Sequence, residues 1–103
     1  MRKLNKRIIC NDGFEVSVQA NEGAYCVPRV DGAEKYIEVE LGYPSEEDDL
    51  ILKYAEQPSQ PTETVYAYVP VEIVYLLLTK HGGIKTGEVP KGVLYYQDNY
   101  ASR

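Results

Sequence analysis

Residues 7–20 read Arg-Ile-Ile-Cys-Asn-Asp-Gly-Phe-Glu-Val-Ser-Val-Gln-Ala, and this stretch decides the fold class. Asn11-Asp12-Gly13 is a tight-turn signal, because Asn and Gly tolerate positive φ. Beyond it, Phe14, Val16, Val18 and Ala20 alternate with Glu15, Ser17 and Gln19. A period of two marks a strand with one wet face. The apolar run before the turn supplies a partner strand, so the chain is expected to open with an antiparallel hairpin.

Working outward, Asn21-Glu22-Gly23 and Val30-Asp31-Gly32 read as turns around Tyr25–Pro28. That piece suits a sheet edge, since Pro28 has no N–H to donate. Lys35 to Leu41 alternates again and predicts a third strand. Ser45 reads as the N-cap of a helix with Asp48 at N3, and Glu46, Glu47, Asp48 and Asp49 fill a first turn that favours negative charge. Leu50, Ile51, Tyr54 and Ala55 would form its apolar stripe, ending near Glu56 before the proline loop Gln57–Pro61. Thr64–Val69 predicts a fourth strand. Pro70 suits the first position of a second helix, Val71 to His81, closed by Gly82-Gly83. Its apolar core, Ile73–Leu78, marks it as a central buried element, and Val93–Tyr96 reads as a last short strand. The expectation is an α+β domain, a mostly antiparallel sheet of about four to five strands with two helices packed on one face. A small half-open barrel plugged by the helices is the alternative.

The chain has 103 residues, 44% hydrophobic and 26% charged. These values suit a single globular domain spanning 1–103, with a basic arm at 1–6 and a loose tail at 97–103. No apolar run approaches the ~20 residues of a membrane span. The net charge is −5, but Arg2, Lys3, Lys6 and Arg7 crowd one end, while Ile8–Leu78 holds 14 acids against three bases, a balance of −11. An acidic body repels phosphates and attracts basic protein surfaces, so a basic protein or protein complex is the expected partner and direct nucleic-acid binding is not. Cys10 and Cys26 lack metal-ligand spacing, and no export signal is visible. They read as reduced, apolar-like cysteines of a cytoplasmic protein, with no metal site and no cofactor.

Several residues could carry chemistry. His81, the single histidine, could act as a general base, or could stand at a helix end for electrostatic reasons. Glu46, Glu47, Asp48 and Asp49 read either as a solvated helix start or as a contact patch for a basic surface; consecutive helical positions point apart, so they do not converge on an ion. Ten residues are Tyr, against one Phe and no Trp. Tyrosine suits interfaces, although half-buried tyrosines can also cover a small core, and a base-stacking platform is a third reading that the acidic charge disfavours. Tyr66 and Tyr68 are two apart on a strand and are expected to face outward together, while Tyr95, Tyr96 and Tyr100 crowd the end of the chain. No nucleotide-binding, metalloprotease or nucleophile-elbow motif is present, so no catalytic set is assigned.

Acidity, small size, abundant tyrosine and the stretches Cys10-Asn11-Asp12-Gly13-Phe14 and Tyr68-Val69-Pro70-Val71-Glu72 give a chain that resembles the small accessory proteins of tailed phages. That resemblance implies a phage-encoded protein, acting in the bacterial host cytoplasm, that binds and modulates or inhibits a host protein complex such as a defence nuclease. The contact residues expected are Glu46, Glu47, Asp48, Asp49, Tyr66, Tyr68, Tyr95 and Tyr96. A structural or assembly subunit of a virion or homo-oligomer is the main alternative, and a small enzyme using His81 the third.

Overall fold

The computed structural model describes residues 4–94. The opening hairpin forms as its turn chemistry dictates: β1 (Ile8–Cys10) pairs antiparallel with β2 (Glu15–Gln19), Ile8 opposite Val16. Gly13 takes φ 97°, and the Asp12 Oδ1 accepts the Phe14 N–H at 2.9 Å, closing the turn with a side chain. β3 (Glu38–Gly42) pairs with β2, and β4 (Val65–Pro70) with β3. Helix α1 (Val71–Lys80) then carries the chain from one sheet edge to the other, where β5 (Ile84–Thr86) pairs with β1. Among the described residues the sheet is therefore five-stranded and antiparallel, in the order β4-β3-β2-β1-β5.

The α+β class stands, with one helix rather than two among the described residues. The expected helix after Ser45 is replaced by irregular chain and one 3-10 turn at Leu52–Tyr54. Ser45 does not cap: its N–H donates to the Glu15 carbonyl at 2.8 Å, and its hydroxyl accepts the Glu15 N–H at 2.9 Å. Asp48 turns inward and accepts the Leu50 N–H, a side-chain-to-backbone bond that competes with helix formation. The last strand also differs. Gly82 and Gly83 reverse the chain at φ 89° and 86°, which brings Ile84–Thr86 beside β1. Val93 is buried but not in a strand, and Tyr95 and Tyr96 lie outside the described residues. The third strand starts at Glu38, because Tyr36 donates its N–H to Lys91 O and Ile37 to Val27 O. Pro70 is the N-cap of α1 and not its first residue.

One face of the sheet carries the core. Val16, Val18, Val39, Leu41, Tyr66 and Val69 pack with Val74, Leu77 and Leu78 of α1. Each fully buried Val, Leu or Ile contributes roughly 1.5–3 kcal/mol. α1 is packed on one side only, since Tyr75 and Leu76 are exposed. Cys10 and Cys26 are free thiols within this core.

β4 breaks the alternation on which the outward tyrosine pair depended. Leu41 faces Tyr66 and Val39 faces Val69, so two residues are crossed on β3 for three on β4. The extra residue is a bulge in which Tyr68 adopts φ 53°. Tyr66 consequently faces the core with no exposed surface, while Tyr68 is 42% exposed. The Tyr66 hydroxyl donates to Pro61 O at 2.6 Å, which satisfies its buried polar atom.

Candidate functional site

Two features lie on either side of the loop that follows β3: a buried charged cluster beneath it and a tyrosine-bearing acidic surface above it. The cluster centres on His81, which caps the C-terminal end of α1 and is 5% exposed. Its Nδ1 lies 2.7 Å from Asp12 Oδ2, and its Nε2 lies 2.8 Å from Asp48 Oδ2. Ionised carboxylates only accept, so with Asp12 and Asp48 both ionised the two ring nitrogens donate and the ring is an imidazolium. Burial pushes the ring's proton affinity down, but the hydrogen bonds and charges of Asp12 and Asp48 outweigh it and raise the pKa above the usual 6.5. Asp48, 4% exposed, is pushed up by burial as well; the His81 ring, the Leu50 N–H and the Lys80 ammonium hold it below 3.8. Desolvation also opposes ionisation of Asp12, where the Phe14 N–H and His81 prevail and lower the pKa. Phe14 stacks on the imidazolium at 3.9 Å with 9° between planes, and Lys80 Nζ sits 3.1 Å from Asp48.

This arrangement is a clamp. It ties the β1–β2 turn through Asp12, the α1 end through His81 and the loop after β3 through Asp48. A base or nucleophile needs an available lone pair, and here both nitrogens are engaged. The two thiols are equally quiet. Burial and the Asp12 charge push Cys10 up to about 11, and burial raises Cys26, whose Sγ donates to Asn21 O.

Above the clamp, residues 43–49 alternate between anchors and presented side chains. Pro44 and Asp48 are buried, and Ser45 is pinned to Glu15. Tyr43, Glu46, Glu47 and Asp49 are exposed. Arg7 Nη2 donates to Tyr43 O at 2.7 Å while its Nε bonds Glu15, which holds the start of the loop. Tyr43 sits at φ 51°, an uncommon region for a non-glycine residue. Tyr43 also borders a pocket of about 300 Å³ on the sheet face opposite α1, lined by Leu4, Ser17, Glu40, Gly42 and Val65 among others. Beside Glu40, Tyr25 meets Tyr68 at 5.9 Å between ring centres, and the Arg29 guanidinium lies 5.2 Å over Tyr25.

The structure thus divides the residues expected to contact a partner. Glu46, Glu47, Asp49 and Tyr68 are at the surface, and Asp48 and Tyr66 are not: Asp48 is consumed by the clamp and Tyr66 by the core. Tyr95 and Tyr96 lie outside the described residues. Sequence reasoning missed Tyr43, Glu40 and the pairing of His81 with Asp12 and Asp48. Among the described residues no group of acids, His or Cys is placed to hold a metal, and no helix is long and apolar enough to cross a membrane. No protein-family model, curated protein or solved structure matches the chain.

Proposed function

We propose that this protein is a non-enzymatic binding module that docks its 43–49 loop on a basic surface of a partner protein. The observation that carries this reading is the loop itself, in which buried Pro44 and Asp48 anchor the chain between exposed Tyr43, Glu46, Glu47 and Asp49. Preorganised contact residues lower the ordering cost of association. The acidic balance of the body gives the docking its sign, and long-range attraction accelerates encounter. Occupied ring nitrogens on His81 and protonated thiols support a role without covalent or acid–base chemistry. A phage-encoded modulator or inhibitor of a basic host complex in the bacterial cytoplasm, a nucleic-acid-handling defence complex included, is the biological setting this reading suits.

The test is capture from bacterial lysate by the tagged chain, with binding to the recovered partner then measured against salt. A loss of affinity with rising ionic strength is expected, together with a tenfold or larger loss in the Glu46→Lys/Glu47→Lys variant. Affinity that ignores both salt and charge reversal would rule the loop out as the docking element.

One observation favours self-assembly as a second reading. Tyr75, Leu76 and Leu94 are exposed around a mostly apolar groove of about 500 Å³ on the outer side of α1. Light scattering across a concentration series, with Leu76→Glu as comparison, separates the readings: a defined oligomer abolished by the substitution favours the assembly subunit.

A further inference from the structure

We propose that the pocket on the open sheet face receives one lysine side chain of the partner, with Glu40 Oε1 accepting its ammonium. At about 300 Å³ the pocket lies at the small end of ligand sites, which fits a side chain and not a cofactor. Leu4, Val65 and Tyr43 form the apolar part of its lining, against which a methylene stem can lie, and Ser17, Gln19 and Asn21 the polar part, with Glu40 as the one charged side chain. A lysine side chain has this division, an apolar four-carbon stem ending in a compact charge.

Glu40 is short of partners for a carboxylate in this setting. Among the described residues, one hydrogen bond reaches its carboxylate, from the Tyr25 N–H to Oε2 at 3.4 Å. Arg29 is near enough to influence it but is engaged elsewhere, its Nε donating to Glu22 O and its guanidinium lying over Tyr25. Desolvation raises the Glu40 pKa, opposed by the Tyr25 N–H and Arg29 and reinforced by the Glu56 charge. A desolvated carboxylate with an unused oxygen gains most from a cation that brings its own hydrogen bonds. With Oε2 already approached by Tyr25, one oxygen remains, which suits the point charge of an ammonium better than the two-pronged guanidinium of arginine. Tyr43 joins this pocket to the acidic loop, so a single basic segment could engage both.

The identity of the ligand as a partner's side chain rests on the docking reading above; the pocket's chemistry does not. The test is therefore an amide NMR titration of the full chain with Nα-acetyl-lysine N-methylamide. Saturable shifts are expected at Ser17, Glu40, Gly42 and Tyr43, with a dissociation constant on the order of 1–10 mM. Glu40→Gln should weaken the probe about tenfold, a change of about 1.4 kcal/mol. Gly42→Ala offers a second variant that keeps the fold, because an added Cβ meets Ser17 Cβ at 3.7 Å and Val65 Cγ1 at 4.0 Å, ordinary contact distances. It should weaken the probe several-fold by narrowing the pocket floor. The Nε-acetylated probe should not bind, and Glu34→Gln, an exposed carboxylate that does not line the pocket, should leave probe binding unchanged. Absent saturation, equal binding by Glu40→Gln, or equal binding of the acetylated probe would overturn the proposal. So would tighter binding of the arginine analogue. Probe binding that survives while loop charge reversal leaves the partner's affinity intact would instead count against the docking reading alone.

Discussion

Replacing Asp48 by Asn removes one charge from the clamp and keeps the side chain's shape. The Leu50 N–H retains an oxygen to bond, so the local turn survives. The ion pair with His81 does not, and both of its members are almost fully buried. Removing one partner of a buried pair costs about 3–5 kcal/mol. Asp12 still holds Nδ1 and, although 48% exposed, keeps the ring's charge partly compensated, which reduces the loss. The expected loss at pH 6 is therefore about 2–3 kcal/mol. For a domain of this length that corresponds to roughly 10–20 °C in Tm. The loss should depend on pH with a definite sign. Because folding raises the His81 pKa above 6.5, its stabilisation is complete below pH 6.5 and disappears as pH climbs through the folded midpoint. Because folding lowers Asp12 and Asp48 below 3.8, theirs is complete above pH 3.8 and disappears as pH falls through their folded midpoints. The clamp is thus strongest between those limits. Urea unfolding of both proteins from about pH 5 to 10 measures the difference, with the folded midpoint read separately from the proton NMR signal of the chain's one histidine. The gap between wild type and Asp48→Asn should narrow as pH passes that midpoint. A constant gap, or a histidine midpoint at or below 6.5, refutes the imidazolium clamp.

Three further outcomes follow from individual contacts. Lys80→Ala should cost no more than about 1 kcal/mol by urea unfolding, since its side chain is half exposed and buried Asp48 keeps the His81 ring and the Leu50 N–H as partners. Tyr66→Phe should cost about 1–2 kcal/mol by leaving the Pro61 carbonyl without its donor, and it should leave partner affinity unchanged because the ring is buried. Gly87→Ala should lower stability by at least about 2 kcal/mol, seen as a fall in thermal midpoint; the residue has φ 116°, and its Cβ would come 2.6 Å from both Arg7 O and Ile8 Cα.

The opening hairpin and α1 were legible because their signals are local: a turn tripeptide between alternating residues, and an apolar run with glycines after it. What the sequence hid depends on distant partners. Ser45 through Asp48 has the grammar of a helix start, but Glu15 claims Ser45 and His81 claims Asp48, and neither lies nearby in sequence. His81 read correctly as a helix-end residue, whereas its two carboxylates come from other parts of the chain. The Tyr66/Tyr68 pair failed for a different reason. Strand parity holds only while every residue is extended, and a non-glycine residue at positive φ leaves no mark in composition. The acidic surface was legible as charge; Glu40 and Tyr43 were not, because a pocket exists only after β2, β3 and β4 are side by side.

The strand order also governs how the molecule comes into being. β5 completes the sheet by pairing with β1, Ile9 opposite Thr86, across nearly the whole described length. Loop closure over such a separation slows folding. Of the described strands β1 and β2 are made before the others, and the outer edge of β1 stays open until β5 has left the ribosome. An open edge is a template for pairing with other chains. The brief vulnerability of this protein therefore lies in the interval between making residue 10 and making residue 86, and the reversal at Gly82-Gly83 is the step that ends it.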